Sequence, residues 1–310
     1  MKKVAIFLPL FFWCLIVPGQ VNKYGIPLIK NYSAEVIHGS DYTHSIIKDN
    51  LGNVYLANED MGIIRYDGNS WRTIPVHNNH LIRALGKDKQ GTIYAGGKFE
   101  FGYLEPDISG KMAYVSLSQR LDEPDVIPGI DSDSGKVDAL SQKINIGEIL
   151  SLVVKDSNAY FVSNKALFDY DIINDSLTYV NLESLNLINV LKVFLVGQRI
   201  ILADNDSGLY EYNERKIKLI PGGDFFNMMR CMVVMPYDEI RVIVATYESG
   251  VYLFNFATGE VIKDFIEPSL QKLLKEYRIY SGIVLPSGEF AIGTIQGGVF
   301  ILDHQGRLIK

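Results

Sequence analysis

The stretch NVYLANEDMGIIRYD, Asn53–Asp67, decides the fold because it recurs. Its pattern returns in RIILADNDSGLYEYN at Arg199–Asn213, RVIVATYESGVYLFN at Arg241–Asn255 and EFAIGTIQGGVFILD at Glu289–Asp303. TIYAGGKFEFGYLEPD at Thr92–Asp107 is one residue longer, and NAYFVSNKALFDYD at Asn158–Asp171 is one shorter. Aligned, the copies form columns with physical meaning. A small residue (Ala57, Gly96, Val162, Ala203, Ala245, Gly293) precedes a small or polar one (Asn58, Gly97, Ser163, Asp204, Thr246, Thr294). A polar turn then closes on Gly62, Gly102, Gly208, Gly250 and Gly298, with Ala166 in the third copy; glycine suits a turn that needs positive φ. A bulky apolar pair follows, such as Ile63-Ile64, Tyr103-Leu104 or Val251-Tyr252. Each copy ends on Asp or Asn, whose side chain can accept from nearby backbone N–H groups and start the next turn.

Each copy reads as a β-hairpin, with β-branched and aromatic runs bounded by turn residues. Repetition at roughly 40-residue spacing points to a propeller or solenoid, and four short strands per repeat favour the propeller. The expected fold is therefore all-β, a β-propeller of four-stranded antiparallel blades. Blades are expected over about 44–74, 81–117, 149–180, 190–220, 228–262 and 278–310. An excursion loop rich in Asp, Pro, Ser and Gly interrupts the period at 121–147. Ser269–Tyr277 reads as a short helix with Ser269 as N-cap and Leu270, Leu273 and Leu274 on one face. An orphan strand is expected at Ile26–Tyr32. Two arrangements stay open: a six-bladed ring in which that strand supplements blade six, or an incomplete seven-bladed ring, which is favoured because Arg307–Lys310 already supplies a fourth strand.

The N-terminus reads as a cleavable secretion signal over residues 1–19. Lys2 and Lys3 precede the apolar run Val4–Val17, too short for an ordinary membrane span, and Val17-Pro18-Gly19 offers a cleavage site before the propeller of 20–310. The expected location is periplasmic or extracellular. The formal net charge is −6, and loss of Lys2 and Lys3 with the leader takes it to −8. With no Lys/Arg block, an acidic chain is a poor partner for nucleic acid. Cys231 would be the one cysteine left after cleavage; it sits in an apolar run and reads as a buried small hydrophobe.

In a propeller, the loops between second and third strands share one face with the inter-blade loops. Loops on a rigid scaffold are where binding usually resides. The candidate ligand-binding residues on this face are Glu59, Asp60, Lys98, Glu100, Phe101, Asp206, Tyr247, Glu248 and Gln296. Inter-blade loops add His77, His80 and residues 225–227. Such a set could hold an oligosaccharide or a peptide. Asp204-Asn-Asp206-Ser-Gly208 superficially resembles a calcium loop but lacks the downstream Glu, and His77 and His80 could hold a metal only with further ligands. No metal or cofactor is expected. Glu59, Asp60, Glu100 and Glu248 could serve as an acid–base pair, but no catalytic residues are assigned and no enzyme activity is expected.

The run Ser45-Ile-Ile-Lys-Asp49…Gly52-Asn-Val-Tyr-Leu…Gly62-Ile-Ile-Arg-Tyr-Asp-Gly68…Trp71 resembles the two-component regulator propeller repeat. The residues around Gly25, Asn31 and Phe99–Leu104 are similar to the first sensor propeller of such regulators in Bacteroidetes-type bacteria. The resemblance implies a periplasmic sensor module, with a second propeller, a small sandwich, a membrane helix and a cytoplasmic effector expected downstream. It also implies glycan ligands, with Tyr247 and Phe101 as stacking platforms. Two further readings remain: a carbohydrate-active lyase or hydrolase, and a fragment with no independent role.

Overall fold

A computed structural model describes residues 30–77, 81–122, 127–128 and 144–310. The expected leader, most of the 26–32 strand, His80 and most of the 121–147 excursion lie outside the described residues. Residues 30–32 have no regular structure. From Ser33 onward the chain forms one unit built of six sheets.

The main strands of each sheet form an antiparallel meander and pair in chain order. Blade one comprises Thr43–Lys48, Val54–Asn58, Gly62–Tyr66 and Trp71–Ile74. Blade two comprises Ile82–Lys87, Ile93–Gly97, Glu100–Pro106 and Met112–Ser116. Blade three comprises Ile149–Lys155, Asn158–Ser163, Ala166–Asp171 and Ser176–Asn181, and blade four Val190–Val196, Arg199–Asp204, Gly208–Asn213 and Lys216–Leu219. Blade five comprises Cys231–Pro236, Arg241–Thr246, Gly250–Asn255 and Val261–Ile262. Blade six has Ile279–Val284, Phe290–Thr294 and Val299–Leu302. Its expected fourth strand is present as backbone bonds between Ile301 and the Ile309–Lys310 segment, with a bridge from Leu302 to Leu308. The fold is a six-bladed β-propeller.

Consecutive first strands pack on one another along the series, which places them at the axis. Every first strand carries a register shift after its first residue, six times over. Such bulges bend and twist a strand, as the steep twist of a blade needs. Five apolar layers lie between consecutive blades. They centre on residues such as Ile63 and Ile82, Phe101 and Phe161, Val162 and Leu202, Ile201 and Val244, and Ile243 and Ile292. Among the described residues, the outward faces of blades one and six carry no such layer: Ile46 is 69% exposed and Ile283 62% exposed.

The turns follow the expected chemistry. In five blades the closing residue binds the N–H groups that follow. Asp67 accepts from Asn69 and Ser70, Asp107 from Ser109 and Lys111, Asp171 from Ile173 and Asn174, Asn255 from Ala257 and Thr258, and Asp303 from Gln305 and Arg307. Asn213 makes no such bond; Glu214 and Arg215 turn that hairpin at positive φ instead. Between first and second strands, Asp49 accepts from Leu51 and Asn53, and Asp88 from Gly91 and Thr92.

Three expectations are corrected. Glu267, not Ser269, holds the N-cap position of the helix, which runs Pro268–Tyr277, and makes no side-chain capping bond; proline at the first position lacks the N–H that would have no partner there. Residues 127–128, expected in a loop, pair parallel to Thr178 and Tyr179 as a fifth strand of blade three. In blade two, Gly102 does not close the turn. The turn is only Lys98-Phe99, Phe99 takes the positive φ, and Gly102 pairs with Ala95 inside the third strand. A Cβ on Gly102 would meet the Val115 carbonyl oxygen at 1.9 Å, so the glycine serves close strand approach.

Candidate ligand-binding face

The face is built from a repeated backbone stitch. In five of the six blades the residue after the second strand donates its N–H to the carbonyl just ahead of the first strand: Glu59 to Tyr42, Lys98 to Leu81, Asn205 to Asn189, Tyr247 to Arg230 and Ile295 to Arg278. In two places the same residue accepts from the next blade, Met228 to Asn205 and Ile279 to Tyr247. These bonds hold the loop bases rigid while the side chains point outward. The polar column beneath closes the turn in every blade but the second, where Gly97 has no side chain. Ser163 accepts from Lys165 and Ala166, Thr246 accepts from Ser249, and Thr294 accepts from Gly297. Asn58 clasps the Ser40 amide and carbonyl.

Seven of the nine candidate residues lie on this face. Asp60, Lys98, Asp206, Glu248 and Gln296 are exposed, and Glu59 and Tyr247 are half-buried. Glu100 and Phe101 do not belong to it. The two-residue turn of blade two draws them into the strand, so Phe101 rather than Tyr103 fills the apolar-pair position. Phe101 is fully buried, with its ring stacked on Phe168 and 4.8 Å from Phe161. The buried Glu100 carboxylate accepts from Tyr114, Ser116 and Ser118, and this leaves it no reach to a ligand.

Asp206 is partly committed, since it accepts from Asn189 and Asn205 side chains. Its neighbour Asp204 is buried and accepts from the Asn189 and Asp206 amides and the Ser207 hydroxyl, so this segment is a self-closed turn. The sequence reading passed over the residues leading into the first strands: Tyr42, Leu81, Glu148, Asn189, Arg230 and Arg278. One column of the repeat holds them all, but it lies outside the hairpin and its chemistry changes at every blade. On blades two and three, Arg83 Nε donates to Glu148. Burial holds the His44 imidazole below its ordinary value, helped by Arg83 and opposed by Glu59 and Glu148. On blades five and six, the Arg230 and Arg278 guanidinium groups lie 4.5 and 5.7 Å from the centre of the Tyr247 ring. The ring expected to stack on a sugar is thus already flanked by cations.

The opposite face has a cleft of about 240 Å³ lined by Lys87, Lys89, Lys155, Asp156, Leu195 and Gln198. It is smaller than the pockets that enclose small molecules. Lys89 is paired there with Asp156 at 3.1 Å.

No family model matches the sequence. No curated protein matches it. Among solved structures it is similar to the WD40 β-propeller domain of Doa1, with 14% identity over 86% of this chain and 81% of that chain, at a TM-score of 0.57. It is also similar to the extracellular domain of a putative hybrid two-component system from B. thetaiotaomicron, with 14% identity and a TM-score of 0.53. That match covers 84% of this chain but only 31% of the other, so the chain spans about a third of that structure's length. A computationally designed protein, Ika8, matches at 11% identity and a TM-score of 0.53, over 85% of this chain and 71% of that one. At these identities the likenesses establish the propeller fold.

Proposed function

We propose that this chain is an exported, non-enzymatic ligand-binding propeller that acts as the extracellular input module of a signalling protein. The observation that carries the reading is the stitched loop face. It presents Glu59, Asp60, Lys98, Tyr247, Glu248 and Gln296 on a scaffold whose loop bases are fixed by backbone hydrogen bonds. Rigid bases with outward, adaptable polar tips favour recognition with little ordering cost. The likeness to an extracellular two-component domain supports the signalling role, and the short apolar run behind Lys2 and Lys3 supports export. A glycosidase or lyase would need two face carboxylates in mutual reach. Glu100 is withdrawn from that set by burial, and Glu148 is engaged by Arg83.

Immobilised full chain, screened against glycan and peptide arrays, should retain a saturable ligand and release it chemically unchanged. Cleavage of an array glycan, lost on Glu59→Gln or Glu248→Gln substitution, would favour the enzyme. Secretion from an export-competent host should yield a mature chain beginning at Gln20; a retained leader would remove the export step.

A further inference from the structure

Arg230 and Arg278 occupy the same repeat position in consecutive blades, and both lie against Tyr247. Both are exposed, and among the described residues neither has an ion-pair partner. A guanidinium over an aromatic ring is attracted to its face and keeps its N–H groups available for bidentate contact with a carboxylate. The two guanidinium carbons lie no further apart than their summed distances to the ring. Two acidic side chains on one face of an extended peptide, about 7 Å apart, fall within that reach.

The surroundings are apolar as well as cationic. Met228, two residues before Arg230, is 72% exposed, and Ile295, whose N–H donates to the Arg278 carbonyl, is 52% exposed. Arg, Tyr and Met are enriched at the centres of protein interfaces. Met228 and Arg278 also hold positive φ, at 59° each, and non-glycine strain of this kind persists where the surrounding structure imposes it. Glu248 follows Tyr247 and pairs with neither arginine.

We infer that Arg230, Tyr247 and Arg278, flanked by Met228 and Ile295, form a docking site for an acidic peptide segment of a partner protein, one whose two carboxylates share a face of an extended strand with apolar side chains on either side of them. The inference rests on the ligand-binding reading above and gives it a chemical class. Free carboxylates on a sugar would satisfy the arginines but leave Met228 and Ile295 uncovered, which favours the peptide.

The test is fluorescence anisotropy of the full chain with a labelled octapeptide, Ser-Leu-Ser-Glu-Ser-Glu-Ser-Leu, whose Leu and Glu share one face when extended, at low and at physiological salt. Saturable binding is expected, weakened at least tenfold by Arg230→Gln or Arg278→Gln and unchanged by Lys218→Gln on a distant outer strand. Replacing Glu by Gln in the peptide should weaken it comparably, and Arg230→Lys should restore only part of the loss. Met228→Ser should weaken the peptide without affecting an oligogalacturonate competitor. Equal binding by wild type and both arginine variants, with circular dichroism showing all three folded, would overturn the inference. So would oligogalacturonate binding in preference to the peptide. Saturable binding of a neutral array ligand, insensitive to the arginines, would overturn it while leaving the binding-module reading intact. Absence of any saturable ligand would remove both.

Discussion

The Tyr212 hydroxyl on blade four donates to Asp169 on blade three at 2.9 Å, and the Asn158 amide donates to the other carboxylate oxygen at 2.8 Å. This is a polar clasp across an otherwise apolar blade interface. Burial pushes the Asp169 carboxyl above the usual carboxylate range, against the two hydrogen bonds. Tyr212→Phe should cost about 1 kcal/mol, since it leaves a half-buried carboxylate short of one partner. The pH dependence carries the opposite sign from an ordinary ion pair. The unfolded chain ionises Asp169 first, so this group lowers stability as pH rises from about 4 through its folded value. Asp169→Asn should flatten that fall, measured by urea unfolding across pH 4–7.

Arg120, after blade two, makes a bidentate contact to Asp175 of blade three at 2.6 and 2.7 Å, and Tyr170 donates to the same carboxylate. These bonds, Arg120 first, hold Asp175 down at about 2. A lowered acid stabilises above its unfolded value and loses that contribution as pH falls through the folded one. Thermal unfolding from pH 5 to pH 2 should therefore show destabilisation beginning near pH 4. Arg120→Gln should reduce the pH dependence. An unchanged acid limb in the variant would mean that the pair contributes nothing in solution.

Ile283 and Met235 hold the same register position in blades six and five, yet Ile283 is 62% exposed and Met235 is 4% exposed. Met235→Glu should unfold the chain or cost more than about 3 kcal/mol, because the charge would be buried without a partner. Ile283→Glu should stay within about 0.5 kcal/mol. If Ile283→Glu proves as damaging, the outward face of blade six is covered in solution.

Gly97→Ala tests the close approach, within blade two, of the end of the second strand to the segment leading into the first. A Cβ there would meet the Leu81 carbonyl oxygen at 1.8 Å. The cost should reach about 3 kcal/mol, at the upper end for overpacking. Gly52→Ala meets nothing within 4 Å but must keep a φ of 93°, and should cost about 1–2 kcal/mol. Urea midpoints of the two variants give the comparison.

Much of this architecture is readable from residues alone. The hairpin columns, the closing Asp and Asn residues and the Asp49 and Asp88 turns are local, and local chemistry decides them. Blade two defeats the reading because Gly102 looks like every other turn glycine. Only the contact with Val115 on the fourth strand shows that it serves packing, and once the turn shifts, Glu100 and Phe101 move from the surface to the core. Arg230 and Arg278 escape for another reason. They precede strands in a column whose chemistry varies from blade to blade, and their shared relation to Tyr247 exists only after two blades pack together.

The most direct test of the binding account is hydrogen-exchange mass spectrometry of the full chain, with and without a ligand retained on the arrays. Protection confined to turns 59–61, 247–249 and 295–297 and to the lead-in segments at 228–230 and 278 is the predicted result. Protection centred on the opposite turns, at 87–90, 155–157 and 197–198, with the loop face unchanged, would contradict it.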